Sequence, residues 1–162
     1  MTVFDWFGRQ RPAARLAPLG SGHAGRLAAI HAECFGRPWS ALEFERLLAD
    51  RLVVADGLFV GRGDAPSGFV LSRVVADEGE ILTVALAAEA RGQGHARPLL
   101  AHHLDELARA GARAVHLEVE ECNLPALAVY RRLAFEEVGR RAAYYAKPDG
   151  PATAALTMRV TL

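Results

Sequence analysis

Apolar residues recur along this chain with two periods, every second residue in some stretches and every third or fourth in others, and the order of the stretches predicts a fold. Ala14 to Leu19 predicts a first strand. Ser21 and Gly22 offer a helix start, and Leu27, Ile30 and Cys34 follow at helical spacing to about Phe35. Pro38-Trp39-Ser40 restarts the chain. Ser40 as N-cap, with Glu43 three residues on, makes a capping box ahead of Phe44, Leu47 and Leu48, so a second helix runs to about Asp50. Leu58 to Arg62 and Gly68 to Val75 are strand-like runs separated by Gly63-Asp64-Ala65-Pro66-Ser67, which predicts an antiparallel hairpin. A turn at Asp77-Glu78-Gly79 leads into a third strand, Ile81 to Leu86. After Gly94, Leu100, Leu104 and Leu107 share one helical face up to Gly111, a natural stop. Ala114 to Val119 alternates, with Val115, Leu117 and Val119 on one side and His116 and Glu118 on the other. Asn123 caps a helix carrying Leu124, Leu127 and Leu133, with Pro125 tolerated in its first turn. Strands Glu136 to Tyr145 and Ala154 to Val160 complete the order β, α, α, β, β, β, α, β, α, β, β. An α/β fold with a mixed sheet covered on both faces buries such a series most compactly.

With 162 residues and 51% hydrophobic composition, the chain closes one core, and residues 14–162 are expected to form a single domain behind an extension of residues 1–13. Phe4, Trp6 and Phe7 of that extension read as packing residues ahead of Arg9, Arg11 and Pro12. Zero formal charge removes the basic footprint of a nucleic-acid binder. The start resembles no signal peptide and no apolar run approaches about 20 residues, so a cytoplasmic protein without a membrane span is expected. Cys34 and Cys122 read as free thiols, and no metal-ligand spacing stands out.

Two regions carry candidate chemistry. Arg91-Gly92-Gln93-Gly94-His95-Ala96 is a turn almost without side chains at the mouth of a helix. Glycines allow close backbone approach, and free amides at the positive end of a helix suit a phosphate or pyrophosphate. Arg97 stands where a dinucleotide fingerprint needs its third glycine, and no Gly-Lys-Ser/Thr follows as in a P-loop. In the second region Glu118, Asn123 and Tyr130 offer a carboxylate, an amide and a phenol that converge if strand and helix pack together. Each also has a simpler reading: a solvated carboxylate, a helix cap and a core tyrosine. His102 and His103 read as helix-surface residues, His95 as a loop residue near phosphate, and His116 as a neighbour able to tune Glu118.

Taken together, Arg91-x-x-Gly94-x-Ala96, Leu117-Glu118-Val119, Asn123 and Ala128-Val129-Tyr130-Arg131-Arg132-Leu133-Ala134-Phe135 resemble the GNAT acyltransferases from about Ala14 to the C-terminus. Pro38-Trp39-Ser40, the Leu-Glu-Val strand and Tyr144-Tyr145 make the chain look like the ribosomal-protein-alanine N-acetyltransferases within that superfamily. The resemblance implies a GNAT fold, a mostly antiparallel sheet of six to seven strands with helices on both faces. It implies acetyl-CoA as co-substrate, with no metal. Val84, Ala85 and Leu86 would bond its pantetheine arm, Gly92, Gln93, Gly94, His95, Ala96 and Arg97, with Arg91 before them, would hold the pyrophosphate, and Asn123 would touch the cofactor as well. Glu118 would be general base and Tyr130 general acid, while Trp39, Arg73, Tyr144 and Tyr145 would line the acceptor groove. Two positions depart from the family pattern: Ala87-Ala88 replace a common Asp-Pro, and Ala134 replaces a glycine before Phe135.

The implied reaction needs both groups. An α-amine has a pKa of about 8 and is largely protonated near neutral pH, and a departing thiolate needs a proton. Direct transfer in a ternary complex to a protein N-terminus follows, with an alanine of a ribosomal protein as the expected acceptor. A lysine, a polyamine or another small amine is the alternative acceptor. A non-catalytic acyl-CoA-binding module is the alternative of another class. A peptide acceptor predicts an open slot, and a small amine a closed acidic pocket.

Overall fold

The computed structural model describes residues 13–147 and 149–162. The aromatic N-terminal run lies outside them. Strands β1 (Ala14–Pro18), β2 (Val53–Val60), β3 (Gly68–Val75), β4 (Glu78–Leu86), β5 (Ala114–Glu120), β6 (Glu136–Lys147) and β7 (Gly150–Thr161) form one sheet in the order β1-β2-β3-β4-β5-β7-β6. Every neighbouring pair is antiparallel except β4 and β5. Helices α1 (Ala24–Cys34), α2 (Ala41–Ala49), α3 (Ala96–Arg109) and α4 (Leu124–Arg132) cover it, with single 3-10 turns at Ser21–His23 and Ala88–Ala90.

Alternation along the strands sends side chains into two cores. Phe69, Leu71, Ala55 and Ala85 pack under α1 and α2 with Leu27, Ile30 and Phe44. Leu58, Val70, Val74, Ile81, Leu117 and Val119 face α3 and α4, meeting Leu99, Leu100, Leu107, Leu127 and Tyr130. The predicted element order holds, and so does the capping box on α2: the Ser40 amide donates to Glu43 Oε2 at 2.6 Å and Ser40 Oγ accepts from the Glu43 amide at 3.3 Å.

Two expectations are corrected. The second strand begins at Val53, five residues before Leu58, and ends at Val60, because Asp56-Gly57 is not a break. Asp56 is buried and its carboxylate is answered from α3. His103, expected on the helix surface, is fully buried: it sits four residues from both Leu99 and Leu107 and so falls on the apolar stripe. Its Nδ1 meets Asp56 Oδ2 at 2.5 Å and its Nε2 meets Ser72 Oγ at 2.7 Å. His102 Nε2 lies 3.6 Å from the other Asp56 oxygen. The network fastens α3 to β2 and β3 through polar groups that burial would otherwise leave unpaired.

Helix α4 ends in a Schellman motif. The Phe135 amide donates to the Tyr130 carbonyl at 3.0 Å and the Ala134 amide to the Arg131 carbonyl at 3.1 Å, with Ala134 at φ 63°. An L-residue other than glycine is strained there by about 1–2 kcal/mol. Ala134→Gly is therefore expected to stabilise the fold by about 1 kcal/mol, read as a raised urea midpoint at constant slope.

Candidate active site

The site begins where β4 and β5 part. The two strands pair in parallel only from Glu78↔Ala114 to Glu80↔His116, and then diverge. A bulge causes part of this: Leu71 pairs with Thr83 and Ser72 with Ile81, so Leu82 is an extra residue in β4. Bulges bend the strand that carries them. The β4 edge from Val84 to Leu86 thus has β3 on one side and, among the described residues, no strand on the other, which leaves main-chain groups to receive an extended, amide-bearing chain.

Beyond Leu86 the chain is tied to α1. The Ala87 amide donates to the Ser67 carbonyl at 2.8 Å and the Ala88 amide to Glu33 Oε2 at 3.0 Å, so the Ala-Ala departure is absorbed by a carboxylate at the end of α1. Arg91 folds back as well. Its Nε donates to the Leu86 carbonyl at 2.9 Å, and its Nη2 lies 3.5 Å from Glu33 Oε2 and 3.1 Å from Cys34 Sγ. Arg91 therefore braces the loop, and its guanidinium is engaged before any phosphate arrives.

Gly92 and Gly94 take φ values of 69° and 80°, and the Gln93 side chain donates to the Glu89 carbonyl. Among the described residues, the Gly92, Gln93, Gly94 and His95 amides have no hydrogen-bond partner. With Ala96 and Arg97 they gather at the N-terminus of α3, where the helix dipole favours an anion. His95 is buried, and its Nε2 has no partner among the described residues. Free amides, an orphaned imidazole nitrogen and an open β4 edge fit a ligand that carries a pyrophosphate on an amide-containing arm. Gly94→Ala puts a Cβ into left-handed geometry, so the Kd for a ligand of that kind should rise about tenfold in a binding titration.

Glu118 and Tyr130 lie on opposite faces of β5. Tyr130 is in the core with Leu117 and Val119 and meets the Phe135 ring at 5.7 Å. Glu118 points to the α1 and α2 side, where Arg141 Nη2 donates to its Oε1. No hydrogen bond joins Glu118 to Tyr130 among the described residues. Asn123 caps α4, its Oδ1 accepting from the Ala126 amide at 3.3 Å. His116 is not a partner of Glu118; its Nδ1 faces Glu78 at 3.9 Å.

Burial pushes the Tyr130 phenol up to about 12, so it remains a proton donor at neutral pH. A raised folded pKa adds stability that is complete below the unfolded value of about 10 and is lost as pH climbs to the folded value. Between pH ~10 and ~12 the wild type should lose on the order of 2–3 kcal/mol relative to Tyr130→Phe in urea titrations.

Trp39 and Arg73 share an open concavity of about 330 Å³ with Glu43, Arg46, Leu47 and Leu82. Trp39 is set by α1: its amide donates to His31 Nδ1 at 3.1 Å and its ring stacks on His31 at 5.0 Å. Burial holds His31 below its ordinary pKa, against the opposing pull of Glu43. Arg73 pairs with Asp50 at 3.3 Å. Tyr144 and Tyr145 do not line this concavity. They belong to the surroundings of Glu118: Arg141 lies 5.0 Å from the Tyr144 ring centre, and Tyr145 is raised by burial first and then by the Glu118 charge. Sequence reasoning missed Glu33, Leu82 and Arg141, whose roles depend on partners far along the chain.

Residues 25–135 match the acetyltransferase (GNAT) family. The chain belongs to that family. As a GNAT enzyme it is an acetyl-CoA-dependent N-acetyltransferase. It is 32% identical over 125 residues to the [ribosomal protein bS18]-alanine N-acetyltransferase of Escherichia coli K12, covering 76% of this chain and 82% of that enzyme. The crystal structure of the Escherichia coli ribosomal-protein-S18-alanine N-acetyltransferase superposes with a TM-score of 0.82 at 27% identity, over 92% of this chain and 94% of that one. Arabidopsis thaliana NAA60 in complex with acetyl-CoA shares the fold, with a TM-score of 0.80 at 19% identity over 93% and 99% of the two chains. Among the described residues no helix is long and apolar enough to cross a membrane, and no cluster of side chains is set to hold a metal.

Proposed function

We propose that this GNAT enzyme acetylates the N-terminal α-amine of a protein, with an alanine of a ribosomal protein as acceptor. The observation that carries the reading is the 32% identity, over 76% of this chain, to an enzyme whose name specifies that acceptor. The open concavity at Trp39 and Arg73 agrees with a peptide better than with a small amine, since it is wide and mostly apolar.

The amides of Gly92 to Arg97 hold the pyrophosphate, and the free β4 edge at Val84–Leu86 takes the pantetheine arm as an added strand. The thioester then lies in the gap between β4 and β5. The acceptor nitrogen attacks the acetyl carbonyl carbon, forming the C–N bond as the C–S bond breaks. Glu118 receives the proton lost by the amine, and Tyr130 supplies the proton that converts the departing thiolate to a thiol. Transfer is direct, in a ternary complex.

The test is free-thiol release from acetyl-CoA with peptides that begin with alanine and copy ribosomal-protein N-termini, beside spermidine and an N-terminally blocked lysine peptide. Preferential turnover of the alanine peptides is expected. Turnover confined to spermidine or the blocked peptide would overturn the acceptor and leave the family intact.

A further inference from the structure

Each carboxylate that β5 sends to the α1 and α2 face is met by a cation from β6, although β7 lies between those two strands. Arg141 reaches Glu118, and Lys147 Nζ reaches Glu120 Oε1 at 2.9 Å, where Thr153 also donates. Arg141 pairs across to Ala155 in the ladder, whereas Glu118 sits opposite Thr157, so the guanidinium spans a whole strand on a diagonal to make its contact. Directly after Arg141 the β6 register breaks. Ala142, Ala143 and Tyr144 stand against Ala154 alone, with Ala143 at φ 53°. This bulge brings the Tyr144 ring to 5.0 Å from the same guanidinium. Arg141 thus has two attractive neighbours, a carboxylate and an aromatic face.

Glu118 is where an acceptor amine must deliver its proton, on the reading given above. A carboxylate already neutralised by a guanidinium has little attraction left for an incoming ammonium, and the two cations compete for the same oxygens. We propose that Arg141 is a placeholder for the acceptor ammonium: it occupies Glu118 in the acceptor-free enzyme and is displaced toward the Tyr144 ring when the acceptor's N-terminus arrives. Arg141 is then a positioning residue acting through Glu118. It keeps the carboxylate matched between turnovers and discriminates against acceptors too weakly bound to displace it. The inference rests on Glu118 as the base.

The experiment is steady-state kinetics of Arg141→Gln with an alanine-initiated peptide. The pair is about half exposed, and such pairs contribute little, so the acceptor KM should fall about threefold with kcat and the acetyl-CoA KM unchanged. Methylguanidinium at millimolar concentration should then compete with the peptide in Arg141→Gln and restore the higher KM, with a weaker effect on wild type. A raised acceptor KM would make Arg141 an acceptor contact, and a fall in kcat at constant KM would make it part of the chemical step; either overturns the placeholder. Insensitivity of Arg141→Gln to methylguanidinium would overturn it as well. Failure of the underlying assignment reads differently: Glu118→Gln would then keep wild-type kcat, whatever Arg141→Gln does.

Discussion

Glu118→Gln is expected to lower kcat by about 10²–10⁴-fold, the usual contribution of a positioned base, while acetyl-CoA binds as before. The change removes the proton acceptor and keeps the shape, and Gln retains an oxygen that can accept from Arg141. Folding is not at stake because Glu118 is exposed, on the outer side of a strand whose core face is Leu117 and Val119. The deficit should shrink as pH rises above about 8, since the α-amine then arrives without its extra proton. Stopped-flow or initial-rate thiol release across pH reads both effects. A variant as fast as wild type at neutral pH would remove Glu118 from the reaction.

Asp56→Ala should cost about 3–5 kcal/mol, because it takes the carboxylate out of a buried polar network and leaves His103 Nδ1 without its partner. Asp56 is almost fully buried and Ser72 and His103 wholly so, which leaves water no route to compensate. For a domain of this size the melting midpoint falls by roughly 6–20 °C. Asp56→Asn, which keeps an acceptor for the imidazole, should fall by less. Thermal unfolding of the two variants beside wild type is the check, and equal midpoints for all three would mean that the network contributes nothing to stability.

That network also shows where reading the sequence stops. The elements with local signals were legible: the Ser40 box started α2, Asn123 capped α4, Gly111 stopped α3, and alternation placed Glu118 opposite Leu117 and Val119. His103 was read as surface because its polarity outweighed its place on the Leu99–Leu107 stripe, and the second strand was started at Leu58, past Asp56. Each polar residue made sense only through the other, 47 positions away. The Leu82 bulge was likewise silent, since an apolar run names no pairing register. Arg91 was identified with the pyrophosphate turn, yet its guanidinium is held by Glu33, 58 residues earlier, which no spacing rule connects to it. The glycine turn was legible because its chemistry lies in backbone amides, and those are fixed by local sequence.

The most direct test of the central claim is to locate the new acetyl group. A peptide carrying both a free N-terminal alanine and an unblocked lysine is incubated with enzyme and acetyl-CoA at neutral pH, and the product is fragmented in a mass spectrometer. A single acetyl group on the alanine α-amine is the predicted result. An acetyl group on the lysine, with the α-amine left free, would contradict it.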